Sequence, residues 1–352
     1  MGRLIRKPNW KKIGLAILSL YLFILAIQLM KDSAKTIAPY IRLLFEVDNP
    51  VNSLGFGWVS AYVILSGSPV AAIALAFLDA EIISQLEALT MISGSRLGAS
   101  FIVLFVGFLY VLRGHERLTG LSMGLLSFII TAFLHAPGLA LGYIVLVSGV
   151  ADPIQIYGGA SLNSLTDALY GPILRLVIEH LPGWLTFLGG VGVIVVSFGL
   201  LDRALPELKL ESTEFGAIPR LIYRPIVMFL MGLIITAVSM SVSVSLTILV
   251  PLSARGYIRS ENAVAYIMGA NVSTFIDTLL VALLLNNPMA TTVVLVQMIS
   301  IAIVSLTVLT LVYGPYERVI LRLTSFIVRS NRNLIIFAVI ILITPIILMM
   351  LA

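Results

Sequence analysis

The chain contains no cysteine, which excludes disulfides, thiolate nucleophiles and thiolate metal ligands together. Charge is scarce as well: 11% of the 352 residues are Asp, Glu, Lys or Arg, against roughly 25% in a soluble domain. The three histidines, His115, His135 and His180, are scattered without metal-ligand spacing, and no G-x-S-x-G, phosphate-loop or H-E-x-x-H pattern occurs. The sequence therefore offers no catalytic pair for an enzyme and no signature for a bound cofactor. The net charge of +5 is explained by membrane topology and gives no reason to expect a nucleic-acid partner.

Apolar residues fill the space left by charge. They make up 59% of the chain, in recurring runs of about 18 residues or more, the length of a bilayer span. The fold class expected is an all-α polytopic membrane protein in the plasma membrane. Arg3, Arg6, Lys7, Lys11 and Lys12 precede an apolar run from Ile13 to Met30. That run is longer than a signal-peptide core and no small-residue cleavage site follows, so it reads as a retained helix with a cytoplasmic N-terminus.

Further along, Lys31–Pro50 reads as a short interfacial amphipathic segment, and Leu54–Ile92 as an apolar stretch broken near Gly67 and Pro69. Each arm of that stretch is short for a span, which predicts a re-entrant hairpin. Helices follow over Gly98–Leu112 and Leu118–Val147, the latter with a kink at Pro137. A second series then comprises Trp184–Leu201, a hairpin over Leu221–Ala265, helices at Thr274–Leu285 and Thr291–Tyr313, a basic loop Arg318–Arg332 and a last span Leu334–Leu351. The organisation expected is a first unit at 1–150, an extracytoplasmic connection at 151–182, a second unit at 183–333 and a C-terminal helix at 334–352. With the N-terminus inside, the remaining cytoplasmic loops hold Arg113, Arg117, Arg203, Lys209, Arg220, Arg224, Arg318, Arg322, Arg329 and Arg332. Only Lys31, Lys35, Arg42 and Arg175 fall outside, as the positive-inside rule requires.

One element occurs twice. Leu65-Ser-Gly-Ser-Pro69 is followed by Gly94-Ser-Arg-Leu-Gly-Ala-Ser100, and Met240-Ser-Val-Ser-Val-Ser-Leu-Thr247 by Gly269-Ala-Asn-Val-Ser-Thr274. Leu65 and Gly94 stand 29 positions apart, as do Met240 and Gly269, and the two copies are offset by 175 residues. Hydroxyl groups both donate and accept, and a broken helix presents free N–H groups and carbonyls to solutes. The expectation is two inverted-topology repeats, each with a re-entrant hairpin whose unwound, hydroxyl-bearing tip faces its twin near the bilayer centre. Arg96 and Asp277 are ionisable residues inside apolar segments, a costly placement that marks pathways. They read either as an ion pair or as an anion anchor with a separate proton or Na⁺ site.

These duplicated residues resemble the sodium/phosphate cotransporter family, the type II cotransporters and their bacterial relatives. In that family a Gln-Ser-Ser-Ser element is followed in each half by Gly-Ala-Asn-Ile-Gly-Thr-Thr/Ser; the glutamine positions here hold Leu65 and Met240. Leu22–Ala34 is similar to the family's opening stretch. The resemblance implies a secondary active transporter for inorganic phosphate or a similar small anion with Na⁺ as coupling ion, and no cofactor. Candidate substrate contacts are Ser66, Gly67, Ser68, Ser95, Arg96, Ser241, Ser243, Asn271, Ser273 and Thr274, with Ser100, Ser245 and Asp277 as coupling-ion positions. The missing glutamines and the added Asp277 leave open a proton-coupled transporter of another solute, or a non-transporting scaffold or sensor on the same fold. A homodimer is compatible with any of these readings.

Overall fold

A computed structural model describes residues 10–45, 49–112, 117–154, 156, 158–204, 224–247, 249, 253 and 258–351. The described residues form helices and connecting turns, without a strand. Seven of the helices are long and apolar enough to cross a bilayer, which makes this a multi-pass membrane protein.

The first half contains α1 (Trp10–Phe45), α2 (Pro50–Ile64), α3 (Gly67–Asp79), α4 (Gln85–Leu112) and α5 (Arg117–Val147). Lys31–Pro50 is not a separate interfacial segment: helix α1 continues through it to Phe45. Buried Met30, Ser33, Ala34 and Ile37 keep one face of that extension against the protein, and packing of this stripe outweighs the mixed charge around it. Helix α2 starts from a capping box, in which the Asn49 side chain accepts from Val51 and Asn52 N–H, both at 2.9 Å. It ends at Leu65, whose φ of 54° is left-handed.

After α6 (Ala160–His180) come α7 (Gly183–Ala204), α8 (Pro225–Ser239), α9 (Val242–Thr247), α10 (Ser260–Ser273), α11 (Ile276–Leu285) and α12 (Pro288–Thr307). A π-helical turn, Val308–Val312, joins α12 to α13 (Tyr313–Arg329), and α14 (Asn331–Met349) closes the chain. Two expectations are corrected here. The serine-rich stretch is interrupted only at Met240 and Ser241 and regains helical form at Val242. The basic segment from Arg318 is helix α13, held because Ile320, Thr324, Ile327 and Val328 fall on one buried stripe.

Glycines set the closest crossings. A Cβ on Gly57 would lie 2.1 Å from the Met91 carbonyl oxygen, and one on Gly94 would lie 2.1 Å from that of Leu54. Further along, a Cβ on Gly98 would meet the Ala61 Cβ at 2.6 Å and the Tyr62 and Phe101 rings lie 4.8 Å apart, so from Gly57/Met91 through Ala61/Gly98 to Tyr62/Phe101 the numbering rises together and α2 and α4 run parallel. The second half repeats these contacts 175 residues on. A Cβ on Gly232 would lie 2.0 Å from Tyr266 O, and one on Gly269 would lie 1.9 Å from Phe229 O. Met240, with φ 50°, takes the place of Leu65.

Helices α1 and α7 run antiparallel. Ser19 Oγ donates to Ser197 O at 2.9 Å and Ser197 Oγ donates back to Ser19 O at 2.8 Å. Gly190 packs on Met30 and Ala26, and Gly183 on Thr36.

Candidate functional site

Arg96 lies midway along α4 and is 2% exposed, among the largest side chains to be so fully enclosed. Its Nη2 reaches Asp277 Oδ1 at 3.2 Å and also donates to Thr278 Oγ1. Its Nη1 approaches Ser68 Oγ at 3.5 Å, and the guanidinium carbon lies 5.2 Å from the centre of the Phe275 ring, a cation–π distance. Asp277 Oδ1 accepts from Thr278 N–H at 2.5 Å and from Thr278 Oγ1 at 2.9 Å. The carboxylate occupies the first turn of α11, where the helix dipole favours negative charge. The pair thus ties the first half of the chain to the second, satisfied on nearly every side. Arg96 Nε alone has no partner.

Phe275 carries a second neighbour: the His135 ring stacks on it at 5.9 Å and 30°. Neither imidazole nitrogen closes a well-formed hydrogen bond, although the Asn271 side chain lies beside the ring. Asn271 Nδ2 itself donates to Ile267 O at 2.9 Å. Arg96, Ser100, Thr131, Asn271 and Thr274 surround a cavity of about 10 Å³. That is room for about one water, and the Thr274 hydroxyl beside it is buried without a partner.

A larger pocket, about 190 Å³, opens where the two helix breaks meet. Ser66, Gly67 and Ser68 line it from the first break, Ser241 and Val242 from the second, and Phe198 and Asp202 from α7. Ser68 therefore faces both this pocket and Arg96, while Val242 belongs to both cavities. Asp202 is the one charged residue in the lining, and its carboxylate is within hydrogen-bonding reach of the Ser241 hydroxyl.

Of the residues singled out from sequence, Ser66, Gly67, Ser68 and Ser241 share the pocket, and Ser68, Arg96 and Asp277 share the ion pair. Ser100, Asn271 and Thr274 border the small cavity with Arg96. Three others stand apart from both linings. Ser95 and Ser273 bond back to their own helices, Ser95 to Ile92 O at 2.7 Å and Ser273 to Gly269 O at 3.4 Å. Ser245 is committed to Thr236 at 2.6 Å and Tyr266 at 2.8 Å. The Ser243 side chain lies outside the described residues.

Asp202, Thr278, Phe275 and Thr131 escaped the sequence reading. Asp202 stands at the end of an apolar run and reads there as the start of a polar loop; only tertiary structure turns it toward the breaks. Among the described residues no group of acids and histidines is arranged to hold a metal ion. The chain matches no family model, no curated protein and no solved structure.

Proposed function

We propose that the chain is a secondary active transporter built from two inverted repeats, whose re-entrant hairpins bring their broken tips together around the solute. One observation carries this reading: the same backbone contacts recur at an offset of 175 residues, and both left-handed breaks, at Leu65 and Met240, adjoin one pocket. Parallel α2 and α4 support a re-entrant path, in which α3 returns toward the side from which α2 entered. Helices α8 and α10 make the matching contacts at Gly232 and Gly269. The antiparallel pairing of α1 and α7 supports opposite orientations for the two units, as does the polar composition of the sequence between α7 and α8. Repeats so related, with unwound backbone at the midplane, are a recurring transporter design.

The solute we favour is inorganic phosphate or a similar small anion, taken up with Na⁺ across the plasma membrane. The resemblance to sodium/phosphate cotransporters and the three pocket hydroxyls support it. A proton-coupled transporter of another solute is the second reading, favoured by two facts. Asp277 already neutralises Arg96, and the pocket lining contains a carboxylate and no cation. Uptake of labelled phosphate by proteoliposomes decides between them. Accumulation driven by a Na⁺ gradient is expected; accumulation that ignores Na⁺ and follows a pH gradient selects the second reading. No uptake under either gradient, for phosphate or other small anions, removes the first.

A further inference from the structure

We propose that the junction of α13 and α14 binds the headgroup phosphate of an anionic phospholipid. The inference rests on the membrane location alone and stands whether or not the chain transports. On α13, burial of Ile320, Thr324, Ile327 and Val328 leaves Arg322, Ser325 and Arg329 exposed along the other side. These three, with Asn333 of α14, frame an open cavity of about 330 Å³ that Leu321 and Phe326 complete. The lining offers two guanidinium groups, a hydroxyl and an amide, and no carboxylate. No described acid forms an ion pair with Arg322 or Arg329, so neither arginine is neutralised within the described residues. A guanidinium fork matches the oxygens of a phosphate in geometry and charge.

The surroundings favour a lipid over a soluble phosphate. Helix α14 is 19 residues long, and only 11% of its most apolar window is buried in the protein, so its sides face acyl chains. Its first turn, which carries Asn333, is therefore at headgroup depth. Phe326, 63% exposed on the same rim, offers apolar contact to the glycerol and upper chain that a free anion would not use. Amphipathic helices with arginines on the polar side hold anionic headgroups in this way.

The test uses the purified full-length chain in neutral detergent, titrated with phosphatidylglycerol, phosphatidylcholine or inorganic phosphate, with bound lipid counted by native mass spectrometry. The variants are Arg322→Gln/Arg329→Gln and, as a control removing equal charge just outside the cavity, Arg318→Gln/Arg332→Gln. Phosphatidylglycerol is expected to bind the wild type and the control alike, and the cavity variant about 30-fold more weakly, roughly fivefold per arginine. Phosphatidylcholine should bind far less. The proposal is overturned if the cavity variant binds as the wild type does, or if both variants weaken equally, which would mean diffuse surface charge. Competition by inorganic phosphate at matching affinity, the mark of a soluble-anion site, would also overturn it.

Discussion

Removing both partners of the Arg96–Asp277 pair should cost no more than removing one. At the 3.2 Å separation, two unit charges attract by about 5 kcal/mol for an effective dielectric near 20. Desolvating both ions costs several kcal/mol each, so the intact pair adds little net stability. Asp277→Asn, however, strands a guanidinium that is 2% exposed, and Arg96→Gln strands the carboxylate. Each should destabilise by about 3–5 kcal/mol. The double variant leaves two neutral amides able to bond to each other and to Thr278, and should lose no more than either single one. Equilibrium unfolding in mixed micelles, followed by tryptophan fluorescence, to which buried Trp58 beside the Phe128 ring contributes, measures all three. Additivity within about 0.5 kcal/mol would refute the coupling. Both single variants should also lose gradient-driven uptake while remaining folded in neutral detergent; unchanged uptake in both would detach the pair from transport.

Asp202→Asn should abolish the dependence of uptake on the coupling cation with little effect on unfolding, since the carboxylate borders an open pocket; retained dependence in proteoliposomes excludes it as a coupling group. Gly57→Ala and Gly232→Ala force a methyl to within 2.1 and 2.0 Å of a carbonyl oxygen and should each destabilise by about 1–3 kcal/mol or more. Gly192→Ala, with nothing within 4 Å, is the neutral comparison, and equal unfolding midpoints for all three would discredit the helix crossings. Because the chain has no cysteine, Ser19→Cys/Ser197→Cys tests the antiparallel α1–α7 pair cleanly. Oxidation should give an intramolecular disulfide, and its absence would argue against the register.

Legibility in the sequence followed the physics of each element. The duplicated glycines and serines were readable because lipid leaves few reasons for Gly94 and Gly269, or for a polar run such as Ser239–Thr247, to sit in apolar sequence. The second break is shorter than the run of serines implies. Serines are tolerable helix formers, and once Met240 takes up the turn, Val242–Thr247 has no reason to stay unwound. Arg96 and Asp277 stand out in the sequence as misplaced charges that could either pair or act separately, and only the fold brings them to 3.2 Å. Thr278, which accepts from one and donates to the other, carried no signal, since a threonine in a span is ordinary. Helix α13 looked like a loop because its charge count hides a stripe of buried residues spaced for one face. Asp202 was hidden for a different reason: a carboxylate at the end of a span is unremarkable until the fold places two serine breaks beside it.

That carboxylate bears on how an anion could be accommodated at all. With Arg96 held by Asp277, the charge nearest the two breaks that no described partner cancels is Asp202, and it repels an incoming anion. The proposed transporter therefore needs a compensating cation for electrostatic reasons alone, and two routes supply one. In the first, a cation binds at Asp202 together with the Ser66, Ser68 and Ser241 hydroxyls, and the anion follows. In the second, the coupling cation binds at Asp277 and frees Arg96, which already touches Ser68 at 3.5 Å and so lies one side chain behind the pocket wall. The routes separate in binding measurements made without a gradient. On the first, Asp202→Asn admits the anion without Na⁺ and Asp277→Asn changes little. On the second, Asp277→Asn frees Arg96 from its partner and binds the anion without the coupling cation, while Asp202→Asn changes little. If neither substitution alters the cation dependence of anion binding, neither carboxylate is the coupling group, and charge compensation must come from elsewhere in the chain.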